Sequence, residues 1–188
     1  MKSGSRFVAV ASAPIGADRF SISRKVLVVG IVARQGEVEG VLSSHVAVNG
    51  SDSSSSILKM VLRSRFAEQI KFVVSNGIAM AGLNVIDYRC LFRKSLPLVV
   101  VTRSIPRPSK LSYALRSFSA KSGVNVKDRI EIIKSFASNK PIKIGGFYFQ
   151  SQMDKESLVR IASDAVKALR LAHLVASGVT TSESKGRI

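Results

Sequence analysis

Between Ile70 and Asp87 the chain reads IKFVVSNGIAMAGLNVID. The apolar run Phe72 to Val74 empties into a turn at Ser75-Asn76-Gly77, and a helix-like segment follows Gly82. A strand buried on both faces of a parallel sheet has this outline. Such a strand delivers a residue to its carboxyl end, where open α/β sheets place binding and chemistry. The residue delivered here is Asn76, a neutral amide.

The rest of the chain supplies neighbours for that strand. Phe7 to Ala11, Val26 to Ala33 and Gly40 to Val48 read as three strands joined closely enough for an antiparallel meander. On the third, Leu42, Ser44, Val46 and Val48 fall on one face and Val41, Ser43, His45 and Ala47 on the other. The serine run 53–56 reads as a helix start capped by Asp52 or a serine, because Ile57, Met60, Val61 and Phe66 follow at near-helical spacing. Beyond it the pattern alternates: a strand from Ile70 to Val74, a helix from Leu83 to Lys94, and a β-branched strand from Leu96 to Thr102. Helices begin near Ser109 and Asn125, Lys143 to Gln150 makes a short strand, and the apolar stripe Leu158 to Leu169 defines a helix from Asp154 to about Arg170.

A meander followed by parallel strands alternating with helices is the arrangement of ribonuclease H-like α/β domains with one mixed sheet. At 188 residues a single domain over 1–179 is expected, with 180–188 a polar, basic tail and a candidate for disorder.

Charge narrows the partner. With 29 Lys and Arg against 12 Asp and Glu, the chain carries +17, an excess that repels itself unless a polyanion is present. Nucleic acid is the expected partner class, above a merely cation-rich surface. Cys90 is the one cysteine, which excludes an internal disulfide and a thiolate metal cluster and points to a reducing, cytoplasmic setting. The longest apolar candidate, Val26 to Ala33, is too short for a membrane span, so no membrane partner is expected.

Phosphodiester chemistry on this scaffold uses Mg²⁺, which wants carboxylate oxygens, ordinarily from the first strand and the adjacent fourth. The first strand, FVAVASAP, has none. Asp18, Glu39, Asp52 and Asp87 are the remaining acids from which a metal site could be assembled. His45 and His173 are expected to be half-buried and hydrogen-bonded, and Cys90 a plain helix residue. Arg103, Arg107 and Lys110 follow the strand ending at Thr102 in a loop stiffened by two prolines, a phosphate-clamp arrangement. Lys59, Arg63 and Arg65 form a second cationic cluster, and Lys121, Lys127, Arg129 and Lys134 a third. Three tyrosines and no tryptophan leave no evident base-stacking platform.

The segments EGVLSSHVAV followed by Asn49-Gly50 and Asp52, then SNGIAMAGLNVID, LPLVVVTRSIPRP and above all LRLAHLVASGVTTSESKGR resemble the archaeal endonuclease dU family, relatives of endonuclease V long grouped as an uncharacterised protein family. The resemblance runs from Arg6 to Arg187. It implies a ribonuclease H-like fold, Mg²⁺-dependent cleavage of DNA near deaminated bases, and a role in DNA repair. The departures fall on acids. Ala11-Ser12 stand where the family's first strand ends in an Asp-Asp-like pair, Asn49 where it has Asp before glycine, and Asn76 where its fourth strand ends in Asp-Gly. Glu39 is a retained carboxylate where the family has Asp-Gly before the third strand, and Asp52 and Asp87 also match.

Three functions follow. The first is a catalytically lapsed homologue, a pseudoenzyme that needs no cofactor and binds nucleic acid, DNA first, through Arg103, Arg107, Lys110, Lys59 and Arg63. The second is an active Mg²⁺- or Mn²⁺-dependent endonuclease acting through Asp87 and Glu39, with Asp18 or Asp52 as further ligands. The third is a docking subunit of a nucleoprotein complex.

Overall fold

The computed structural model describes residues 4–16 and 24–181. Strands β1 (Arg6–Ser12), β2 (Lys25–Arg34) and β3 (Glu37–Ala47) form the antiparallel meander. Helix α1 (Ser53–Leu62) crosses over to β4 (Ile70–Asn76), which lies parallel to β1. A small hairpin, β5 (Ala79–Met80) with β6 (Asn84–Val85), and the short helix α2 (Tyr88–Phe92) lead to β7 (Leu98–Thr102), parallel to β4. Helices α3 (Pro108–Ser122) and α4 (Lys127–Phe136), the hairpin β8 (Ile142–Ile144) and β9 (Phe147–Gln150), and the long helix α5 (Lys155–Thr181) complete the fold. The seven-stranded sheet has the order β3-β2-β1-β4-β7-β9-β8.

Strands β1 and β4 are flanked on both edges and covered on both faces, which is why they read as apolar runs without alternation. Their pleat nonetheless sorts the side chains. Val8, Val10 and Val73 enter the core under α1, α2 and α4, while Phe7, Ala9, Phe72 and Val74 enter the core under α5. Phe7 and Phe72 stack there with ring centroids 5.0 Å apart. Small residues let α5 lie close: Ala9 and Ala11 on β1 share this core with Ala162, Ala165, Ala168, Ala172 and Ala176.

Four elements differ from expectation. In place of a helix over Leu83–Lys94 stand β6 and a five-residue helix. Positive φ at Ala81 (45°) and Gly82 (84°) folds this segment into the β5–β6 turn, and Asp87 caps α2 only afterwards. Lys143–Gln150 is a hairpin, because Gly145 and Gly146 both take positive φ, the requirement of a tight two-residue turn. The last helix passes Arg170 and reaches Thr181, since Ala172 and Ala176 prolong its buried stripe, so the expected tail begins inside a helix. Helix α1 starts after Asp52 as expected, but the carboxylate does not cap it: Asp52 accepts from the Ala47 and Asn84 amides instead. Asp18 and residues 182–188 lie outside the described residues. Among the described residues no helix is long and apolar enough to cross a membrane.

Candidate nucleic-acid interface and strand-end site

Parallel neighbours β1 and β4 end together, with Val10 beside Ser75, so Ala11, Ser12 and Asn76 converge at their carboxyl ends. They line one depression of about 360 Å³ together with Gly77 and His173. By the pleat, Ala11 and Asn76 face α5, and Ser12 faces the opposite side, where its Oγ accepts from the Ala81 amide at 3.1 Å. His173 is half-buried here, as expected, but its place at this site was not inferred from the sequence. Its spacing from Leu169 and Ala176 was the available signal, since that stripe crosses the strand ends. His45, by contrast, is exposed on the edge strand β3.

Among the described residues this lining offers hydroxyls, one side-chain amide and one imidazole, and no carboxylate. A hard divalent cation needs anionic oxygen, so these residues do not fit the metal that the scaffold implies. Among the described residues, no group of three or more His, Cys, Asp or Glu is placed to hold one.

Asn49 lies elsewhere in this geometry. It is buried with φ of 54°, a left-handed conformation that asparagine tolerates. Its Oδ1 accepts from the Leu83 backbone N–H at 3.0 Å, and its backbone N–H donates to the Ala81 carbonyl at 2.9 Å. Gly82 is required opposite, because a Cβ there would lie 2.3 Å from that Oδ1. From α4, Arg129 donates to the carbonyls of Asn49 (2.7 Å) and Leu83 (3.3 Å). Arg129 is therefore a buried clasp on the β5–β6 hairpin and not part of a surface cluster, and desolvation lowers its pKa.

The retained acids are scattered. Glu39 pairs with Arg6 at the start of β1, the end of the sheet opposite Ser12. The Arg6 hydrogen bond holds the Glu39 carboxyl below its ordinary value, against a smaller opposing effect of desolvation. Asp52 is tied to Ala47 and Asn84. Asp87 caps α2 and accepts from the Arg89 amide (3.1 Å) and Nε (2.9 Å). Partial burial raises the Asp87 carboxyl, but the Arg89 hydrogen bonds and the charges of Arg89 and Arg93 outweigh it and leave the pKa lowered. Asp87 and Glu39 thus belong to separate ion pairs.

A depressed folded-state pKa sets a direction. The Asp87 contribution is complete above the ordinary carboxylate value of about 4 and is lost as pH falls through the lower folded value. The stability difference between wild type and Asp87→Asn is expected to stay below about 1 kcal/mol at neutral pH, because Arg89 is exposed and solvent screens the pair. It should vanish in acid, as urea titrations at stepped pH would read.

Arg103, Arg107 and Lys110 are all exposed where β7 passes into α3. They sit within residues 88–127, which hold nine Lys and Arg and no Asp or Glu. A groove of about 1090 Å³ runs along α3 over Ile15, Leu83, Ala114 and Phe118, rimmed by Lys110 and Lys121. It shares Pro14, Ile15 and Gly82 with the strand-end depression, so the two are continuous. A second groove, about 820 Å³, holds Arg107, Arg116 and Lys134 on the other side of α3. Lys59 and Arg63 do not join this surface. They lie in the last turn and at the C-cap of α1, toward Phe66, which packs against Gly40 and beneath Arg6 at the other end of the sheet.

A mixed sheet with an antiparallel meander, a parallel centre and a long helix across the β1–β4 face defines a ribonuclease H-like α/β domain. Human endonuclease V has the same fold, with a TM-score of 0.52 and 14% identity over 90% of this chain and 81% of that one. The model of the endonuclease dU family matches residues 3–180, and the chain belongs to that family. A UPF0215 protein of Methanosarcina acetivorans is 34% identical over 178 residues, covering 90% of this chain and 91% of the relative. One from Methanothermobacter thermautotrophicus is 36% identical over 168 residues, covering 86% and 82%. A crystal structure of a protein of unknown function from Archaeoglobus fulgidus superposes with a TM-score of 0.75 at 27% identity, covering 93% of this chain and 97% of that one.

Proposed function

We propose that this chain binds nucleic acid, DNA first, along the α3 grooves and the strand-end depression, and that it does not cut it. One observation carries the reading: a continuous cation-rimmed groove, with no acid in its lining among the described residues, ends at strand termini, Ala11-Ser12 and Asn76, that carry no carboxylate. The family name, endonuclease dU, supports DNA as the polyanion. An active nuclease built on Glu39 and Asp87 has no such support, because each carboxylate is held by its own arginine in a different part of the fold.

Binding to a labelled duplex, followed by anisotropy across a salt series, tests this. Each phosphate neutralised contributes roughly −0.9 to the slope of log affinity against log salt. Arg107→Gln and Lys110→Gln are each expected to reduce the slope by about one, while Lys59→Gln and Arg63→Gln leave it unchanged. A slope near zero with duplex and single strand alike would remove nucleic acid as the partner and favour a docking subunit.

A further inference from the structure

We propose that Tyr113 is a base-stacking platform for single-stranded DNA, set between the two cationic grooves of α3. The proposal rests on the nucleic-acid reading above and names the form of the strand. Tyr113 is 73% exposed, more than any other exposed large hydrophobic side chain among the described residues. The inward face of α3 is already filled by Leu115 and Phe118, with Leu111 packed against the same core, so helix packing requires no aromatic at 113. The ring stands one turn from Lys110 and one from Arg116, and it lines both grooves. On one side lies the apolar floor of Ile15, Leu83, Ala114 and Phe118; on the other lie Arg107, Arg116 and Lys134.

A duplex has little use for this arrangement. Its base faces are covered by their neighbours, so only its phosphates and base edges are presented, and an apolar floor and a bare ring find no counterpart. A single strand offers an uncovered π-face at every base, which stacks on an aromatic ring whatever the sequence, while the flanking phosphates reach nearby cations. Neither groove has an acid in its lining among the described residues, so the backbone meets no opposing charge on either side of the ridge. The sequence hid this platform because one tyrosine becomes one only when the fold leaves it bare between two grooves.

The test uses the full chain with a single strand of about 15 nucleotides carrying 2-aminopurine, a length near the upper end of single-strand site sizes. The duplex of the same sequence is run at the same salt. The single strand should bind more tightly, and its 2-aminopurine fluorescence should be quenched on binding. Tyr113→Ala should weaken single-strand binding by roughly five- to a hundredfold and abolish the quench, and Tyr113→Trp should retain both. Duplex affinity should change less than about twofold in either variant, because phosphate contacts carry it. Unchanged single-strand affinity in Tyr113→Ala, or a preference of the wild type for duplex, overturns the stacking platform while leaving the cationic interface standing. Absence of salt-dependent binding to either form overturns both. The exposure of the side chain means that the variants should fold, which circular dichroism checks.

Discussion

Arg129→Ala is expected to lower stability by about 3 kcal/mol, a loss of about 6–12 °C in Tm for a chain of this size. Its guanidinium reaches across 80 positions of sequence to the Asn49 carbonyl and also holds Leu83. Truncation leaves both carbonyls without that donor and opens space on the face that Arg129 shares, at helical spacing, with buried Val126 and Ile133. The estimate is not higher because removing a desolvated cation also recovers part of what its burial cost. Arg129→Lys, with a compact ammonium in place of a fork, should fall between the two. Differential scanning calorimetry reads the effect, and a Tm within about 2 °C of wild type would mean that the β5–β6 hairpin does not depend on the clasp.

The second large effect concerns the strand ends. Ala11 and Asn76 stand on adjacent parallel strands, facing α5, one residue beyond the Val10–Ser75 pair. Strand spacing puts carboxylates introduced there about 5 Å apart. In the absence of metal, Ala11→Asp with Asn76→Asp is expected to destabilise the fold, because two like charges at that distance oppose each other beside a half-buried helix. Saturating Mn²⁺ should reverse this, adding about 2.7 kcal/mol at a hundredfold excess over Kd, while the wild type gains nothing. Thermal unfolding with and without Mn²⁺ measures both states. An equal response of the two chains would show that these positions are not where a metal belongs on this scaffold.

What could be read from the sequence follows from how far each interaction reaches. Strands β1, β2, β4 and β7 were legible because burial on both faces leaves runs such as Phe72 to Val74 that only a central strand explains. The convergence of Ala11, Ser12 and Asn76 followed, since neighbouring parallel strands end side by side. The β5–β6 hairpin was not legible: its strands have two residues each, and its fold is held by Asn49 and Ser12, 34 and 69 positions away from their partners. Arg129 misled for the same reason, because among Lys127 and Lys134 it looks like surface until the hairpin covers it. Glu39 looked like a candidate ligand because order along the chain does not say which end of a strand a side chain occupies. Its position on the bulged start of β3, beside Arg6, puts it at the wrong end.

The proposed binding of nucleic acid along α3 without cleavage is tested by incubating the full chain with DNA containing uracil or hypoxanthine, in Mg²⁺ and in Mn²⁺, and running native and denaturing gels of the same mixtures. The expected result is a retarded complex on the native gel and full-length strands on the denaturing gel in both metals. Strand breaks at the deaminated base, abolished by Asp87→Ala, would contradict the account.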